Sequence, residues 1–297
     1  MKSDYYQGKT VLITGGSSGI GFALANALVE MDASVILLAR DYENLKTARA
    51  SILEKYPKAK VKIVSADVTD ADSLKIIYDK YLRNNDTPDI LINSAGVARP
   101  GYVEELPLDI YRWTMDIDYH GTVNIIKILL PGMLERGSGH IINISSIAGV
   151  VGFFGYTAYS GAKFAVKGFT DALRSEVKSK GIKVSIVYPP DTDTPQLHWE
   201  NQFKPMETRA ISGTAKPVSS KLVAQAILKD AAKGKYTITP GAEAKIMYYA
   251  STRYSRWVRW LLDFIVAKAK KNPAHPSHPC FRLPIASTRA KSTTREN

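Results

Sequence analysis

Val11-Leu12-Ile13-Thr14-Gly15-Gly16-Ser17-Ser18-Gly19-Ile20-Gly21 passes from an apolar run through a glycine loop into Ile20–Met31, an Ala- and Leu-rich stretch with helix periodicity. Each glycine has its own task. Gly15 permits the tight turn, Gly19 lets the backbone approach a diphosphate, and Gly21 allows the helix to pack closely on the strand. The helix amino terminus then offers N–H groups without intrahelical acceptors, which attract phosphate. A glycine triplet alone is a weak signal; a strand before it and a helix after it are what the motif requires. Gly15, Ser17, Ser18, Gly19, Ile20 and Gly21 are the candidate phosphate contacts, against the alternative of a glycine turn with no ligand.

Working outward, short β-branched runs alternate with longer helical patterns. Strands are expected at Lys9–Ile13, Ser34–Ala39, Lys60–Ser65, Ile90–Asn93, His140–Ile144 and Lys183–Val187. Helices are expected at Tyr42–Tyr56, Ala71–Asn84, within Leu108–Arg136, and at Tyr159–Lys180. Continuous apolar strands joined through helices predict an α/β fold, a doubly wound parallel sheet covered on both faces. Residues 189–217 hold five prolines and read as a long loop, with Val218–Lys233 helical and Tyr236–Thr239 a short last strand. The organisation expected is one dinucleotide-binding α/β domain over 1–243, a basic amphipathic helical segment over 244–271, and a disordered tail over 272–297.

The second strand ends Leu38-Ala39-Arg40. NAD-selective sites place an acid there for the ribose 2′-hydroxyl, whereas an arginine grips a 2′-phosphate. Arg40 therefore favours NADP(H), although Asp41 beside it also allows a merely solvated arginine.

With 297 residues, 45% hydrophobic and 23% charged, the composition is that of a globular chain and excludes pervasive disorder, collagen and a coiled coil. The single cysteine, Cys280, excludes an internal disulfide framework and a polythiolate zinc site, and no metal is expected. The net charge of +12 is uneven: residues 243–297 carry 11 basic and 3 acidic side chains. No run reaches the ~18–20 apolar residues of a membrane span, and Met1–Gly8 lacks the apolar core of a secretory signal. The expected location is the cytoplasmic side.

Tyr159 and Lys163 stand four residues apart, on one face of a helix. A free phenol, with pKa ~10, is a poor acid-base catalyst at neutral pH, and a nearby ammonium favours its phenolate. Y-x-x-x-K alone arises often by chance. Here Ser145 and Ser146 follow the fifth strand, at the carboxyl-end rim where doubly wound sheets bind ligands. A serine there can hold a substrate carbonyl oxygen while Tyr159 protonates it; either serine could be the contact, the other being a satisfied loop serine.

Together Thr14-Gly15-x-x-x-Gly19-x-Gly21, Asp67-Val68, Asn93-Ser94-Ala95-Gly96, Ser146 and Tyr159-x-x-x-Lys163 resemble the short-chain dehydrogenase/reductase family, over residues ~8 to 240. The resemblance implies that Asp67 and Val68 flank the adenine and that Asn93 supports the central strands near the cofactor. It also implies that Ser146 orients the carbonyl, Tyr159 donates the proton, and Lys163 holds the nicotinamide ribose and lowers the tyrosine pKa. Thr194 stands where the family's threonine meets the carboxamide. Asp118 departs from the family's asparagine, which holds a water of the proton relay; a carboxylate can bind that water, but its charge would alter the titration of the tyrosine and lysine. The double proline in Tyr188-Pro189-Pro190-Asp191-Thr192-Asp193-Thr194-Pro195 departs from the usual Pro-Gly. That segment, with Glu200-Asn201, Lys204-Pro205-x-Glu207-Thr208-Arg209 and Phe154-Gly155-Tyr156-Thr157-Ala158, looks like the 3-ketodihydrosphingosine reductase branch. The likeness implies NADPH-dependent reduction of a lipid substrate, a long-chain keto-base. Other readings are reduction of another apolar ketone, steroid or acyl, or a non-catalytic NADP-binding sensor or scaffold.

Trp257-Val258-Arg259-Trp260-Leu261-Leu262-Asp263-Phe264-Ile265-Val266-Ala267 is too short to cross a bilayer. Aromatic and aliphatic side chains beside Arg and Lys suit a helix lying on a membrane surface. They also suit a homo-oligomer interface, and a core helix packed on the sheet is the plain alternative. No nucleic-acid-binding motif accompanies the charge.

Overall fold

The structure, a computed structural model, describes residues 4–81, 87–213 and 216–271. The expected tail at 272–297, with Cys280, and the end of the helix expected over 71–84 lie outside the described residues. β1 (Thr10–Thr14) leads into α1 (Gly19–Val29), β2 (Ser34–Ala39) into α2 (Tyr42–Lys55), β3 (Val61–Ser65) into α3 (Ala71–Tyr81), and β4 (Ile90–Asn93) into α4 (Leu108–Met115). A π-helical turn, Asp116–His120, joins α4 to α5 (Gly121–Arg136). β5 (Gly139–Ile144), α6 (Thr157–Val177) and β6 (Ile182–Val187) complete the regular alternation. Then follow β7 (Thr192–Asp193), α7 (Pro195–Glu200), α8 (Met206–Ser212), β8 (Val218–Ser219), α9 (Ser220–Ala232), β9 (Thr237–Ile238), α10 (Ala242–Arg253) and α11 (Ser255–Lys270).

The main sheet runs β3-β2-β1-β4-β5-β6-β9, and every pairing is parallel. Its central strands β2, β1, β4 and β5 are buried along almost their whole length, which is why they read as nearly unbroken apolar runs. Successive residues face opposite layers. Val11, Ile13, Val35, Leu37, Ile90 and Ile92 pack with Leu24, Leu28 and Ile227 from α1 and α9. Leu12, Ile36, Leu38 and Leu91 pack with Ile125, Leu129 and Leu173 from α5 and α6. Each fully buried aliphatic side chain contributes about 1.5–3 kcal/mol. The chain winds one way from β1 to β3 and the other way from β4, so a crevice opens above the carboxyl ends of β1 and β4.

Three regions differ from the expectation, the first being residues 189–217, read as a loop, which hold β7, α7 and α8. The helix expected within Leu108–Arg136 is interrupted by the π-turn, which carries Asp118 inward to complete burial. The carboxyl-terminal segment is two helices, broken at Tyr254, whose backbone leaves the helical region. One stripe of it is docked on the domain: Ala244 and Val258 are buried with Ile147, Val151, Ile186 and Tyr188, and α11 packs against α8. A second stripe, Trp257, Trp260, Leu261 and Phe264, is exposed.

Candidate active site

The glycine loop lies at the switch point. Gly15 (φ +66°) and Gly19 (φ +54°) occupy left-handed backbone, and a Cβ on Gly21 would stand 2.3 Å from the Gly15 carbonyl oxygen. The Thr14 hydroxyl oxygen accepts the N–H groups of Ser94 and Ala95, each at 3.0 Å, which ties the loop to the end of β4. Ser18 precedes α1 in extended conformation and makes no side-chain cap, and the first turn of α1 holds no acid. The N–H groups there are left to an anion, so the cradle of Ser17, Ser18, Gly19 and Ile20 fits a diphosphate. Thr194 stands over this loop: a Cβ on Gly19 would lie 3.2 Å from its methyl group, and its hydroxyl oxygen accepts the Leu197 N–H to cap α7.

Arg40 is exposed, with its guanidinium 3.9 Å from Asp67. Its neighbour Asp41 is engaged elsewhere, accepting the Asn44 N–H at the start of α2. Asp67 accepts both the N–H and the hydroxyl of Thr69. Val68 is buried against Gly121, where a Cβ would come within 2.5 Å of it. Asn93 donates to Asn143 across β4 and β5, and Asn143 donates to Thr170, while the Asn93 side-chain oxygen has no protein partner.

At the other end of the same cleft stand Ser145, Ser146, Tyr156, Tyr159, Lys163 and Glu200. The two serines separate clearly. Ser145 is buried and donates to the Lys163 carbonyl oxygen, pinning α6 to β5. Ser146 accepts the Ala148 N–H and lies close enough to the Tyr159 phenol to favour its ionised form. Ser146, not Ser145, faces the reacting position.

Lys163 and Asp118 form a buried ion pair, with Nζ 3.2 Å from Oδ2. The Val97 N–H donates to the other Asp118 oxygen at 2.7 Å. Burial pushes the Asp118 carboxyl up, while Lys163 and the Val97 N–H oppose the shift. Tyr159 differs from the expectation of a lysine-lowered phenol. Burial drives it well above its ordinary value, the charges of Asp118 and Glu200 push the same way, and only the Ser146 hydroxyl opposes them. Burial is the first physical reason, and the Asp118 carboxylate, standing where an amide would carry no charge, is the second. The arrangement holds a protonated phenol beside a hydroxyl, the set needed to protonate a carbonyl oxygen as it is reduced.

Several side chains of the site were not picked out by spacing. Tyr156 donates to Glu200 at 2.7 Å, and the Gln196 amide donates to the other oxygen at 2.8 Å. Asn143 was detectable, since an asparagine stands at or next to the end of both central strands; Glu200 on a six-residue helix left no periodic signal. Among the described residues, no group of three or more His, Cys, Asp or Glu could hold a metal ion.

Residues 9–204 match the family model described as short chain dehydrogenase, and the chain belongs to that family. A Bos taurus protein named 3-ketodihydrosphingosine reductase is 38% identical over 244 residues, covering 81% of this chain and 73% of its own. The crystal structure of levodione reductase superposes with a TM-score of 0.73 at 25% identity, covering 80% of this chain and 98% of its own. The structure titled ElxO with NADP bound superposes with a TM-score of 0.67 at 29% identity, covering 75% and 91%.

Proposed function

We propose that this protein reduces 3-ketosphinganine to sphinganine with NADPH, a step of sphingolipid synthesis. The carrying observation is the joint one: a complete Ser146–Tyr159–Lys163 set in a chain similar over most of its length to 3-ketodihydrosphingosine reductase. NADPH, when bound, supplies the hydride. The backbone of Ser17–Ile20 would hold its diphosphate, and Asp67, Val68 and Asn93 would border the adenosine and nicotinamide ends. Arg40 would pair with the 2′-phosphate; the β2 end carries no free acid to prefer NADH, because Asp41 caps α2. Thr194 would meet the carboxamide. Ser146 would hold the substrate carbonyl oxygen, and Tyr159 would pass it the phenolic proton. Lys163 would hold the nicotinamide ribose, with Asp118 keeping its ammonium in place. A cofactor sensor would need no proton donor at this position.

We further propose that the protein sits on the cytoplasmic face of a membrane through α11. Among the described residues no helix is long and apolar enough to cross one. Trp257, Trp260, Leu261 and Phe264 form an open stripe at i, i+3, i+4 and i+7, with Arg256 and Arg259 beside it on the helix and Lys268 one turn beyond its end. Such a face suits the headgroup plane. Because α11 packs on α8, and Thr208 of α8 donates to the Phe154 carbonyl next to Phe153 of the cleft, a lipid leaving the bilayer would have a short path.

The test is incubation with 3-ketosphinganine and either NADPH or NADH, following the nicotinamide absorbance and identifying the product by mass spectrometry. Sphinganine formed with NADPH is expected. Cofactor oxidation that ignores the keto-base would overturn the reading.

A further inference from the structure

The reduction proposed above leaves one buried charge in the cleft without a task. Glu200 is the last residue of α7 and is 6% exposed, yet it lines the same cleft as Ser146 and Tyr159. Both of its oxygens accept hydrogen bonds, from the Tyr156 hydroxyl and the Gln196 amide, a donor set that suits the ionised form. Tyr156 bridges it to the reacting position, its ring lying 5.8 Å from the Tyr159 ring. The local charge does not balance. Lys204 is buried and pairs with Asp191 at 3.6 Å, so Asp191 and Glu200 together face one ammonium. The other cation of the cleft, Lys163, is already matched by Asp118. Burial pushes the Glu200 carboxyl up while Tyr156, Gln196 and Lys204 oppose the shift, and a carboxylate so placed persists most readily where a cationic ligand completes it.

We propose that Glu200 is a specificity-determining residue that receives the ammonium group on the carbon next to the reacting carbonyl of the substrate. The proposal rests on the keto-base reading above, since a 3-keto long-chain base carries a primary amine at that carbon. With the carbonyl oxygen held at Ser146 and Tyr159, the neighbouring ammonium falls toward the wall formed by Tyr156 and Glu200. A steroid or simple acyl ketone has no cation to offer and would leave the carboxylate unmatched. Glu200 thus separates amino-ketones from plain ketones, a discrimination that an apolar channel cannot make.

The experiment compares the full-length wild type with Glu200→Gln and Glu200→Asp on three substrates: 3-ketosphinganine, its N-acylated form, and the chain-matched ketone lacking the amine. Glu200→Gln keeps the shape and the Tyr156 hydrogen bond but removes the charge. It is expected to lower kcat/KM for 3-ketosphinganine at least twentyfold, chiefly through KM. Turnover of the amine-free ketone should stay within about twofold, or rise. Glu200→Asp should recover part of the preference for the amine. Equal losses on all three substrates would assign Glu200 a purely structural role, and no loss on any would remove it from recognition; either result overturns the proposal. A wild type inactive on 3-ketosphinganine but active on the amine-free ketone overturns the keto-base reading itself and this assignment with it.

Discussion

The two ends of the cleft are built by different means. At the phosphate end, contacts come from backbone: glycine φ angles, open N–H groups at the start of α1, and a threonine that clips two strand ends together. Parallel strands buried on both faces hold that end. At the substrate end, contacts come from side chains: Ser146 just past β5, Tyr159 and Lys163 on α6, and Glu200 on α7, with α6 held to the sheet by β6 and by Ser145. Backbone cradles tolerate sequence change as long as the glycines remain, whereas a wall of side chains can be redrawn residue by residue. The first end suits a constant cofactor and the second suits a particular ketone.

Five variants probe that division. The largest effect is expected where the two ends meet. Tyr159→Phe should lower kcat by about 10²–10⁴-fold, the usual contribution of a positioned acid, while NADPH affinity measured by fluorescence titration stays within about twofold. Comparable loss of cofactor binding would show that the phenol belongs to the cofactor end. Arg40→Asp should act at that end alone. It should weaken NADPH binding by more than about tenfold, as loss of a charge-assisted contact worth ~1.5–3 kcal/mol requires, and spare NADH. An equal loss for both cofactors would detach Arg40 from the 2′-phosphate.

Asp118→Asn probes the link between the ends. The Asp118 charge helps to raise Tyr159 above its ordinary value, so removing it should lower the tyrosine pKa. Reduction needs the protonated phenol and is lost as pH rises through that pKa. The alkaline limb of the kcat profile should therefore move to lower pH in the variant. An unmoved limb would mean that Asp118 acts only by holding Lys163. The smallest effect on the folded domain should come from Trp257→Ser with Trp260→Ser. Both side chains are exposed, so stability should change by less than about 0.5 kcal/mol while sedimentation with anionic vesicles falls sharply. Val258→Ala, on the packed stripe, should do the reverse, lowering Tm with a cost of about 1–2 kcal/mol and leaving vesicle binding intact. If both changes lower Tm alike, the outer stripe is part of the core.

The sequence alone determined the parallel sheet, the glycine turn, and the placing of Tyr159 and Lys163 on one helical face downstream of the paired serines. Those features depend on local chemistry: burial on both faces forces continuous β-branched runs, positive φ demands glycine, and one helical turn aligns residues four apart. Only the tertiary structure decided which serine faces the phenol, because Ser145 is consumed by a carbonyl on α6. It alone showed that Asp118 reaches Lys163 through a π-turn, since an inserted residue rotates the helix face and leaves no periodic trace. It divided the apolar residues of α11 between a docked and an open stripe, a partition that helix periodicity cannot make when both stripes are apolar. It also brought Glu200 to the cleft beside Tyr156, 44 positions away in the chain. Pairings of that kind arise from how helices settle on a sheet, a balance of packing and desolvation that is summed over the whole core and written in no single segment.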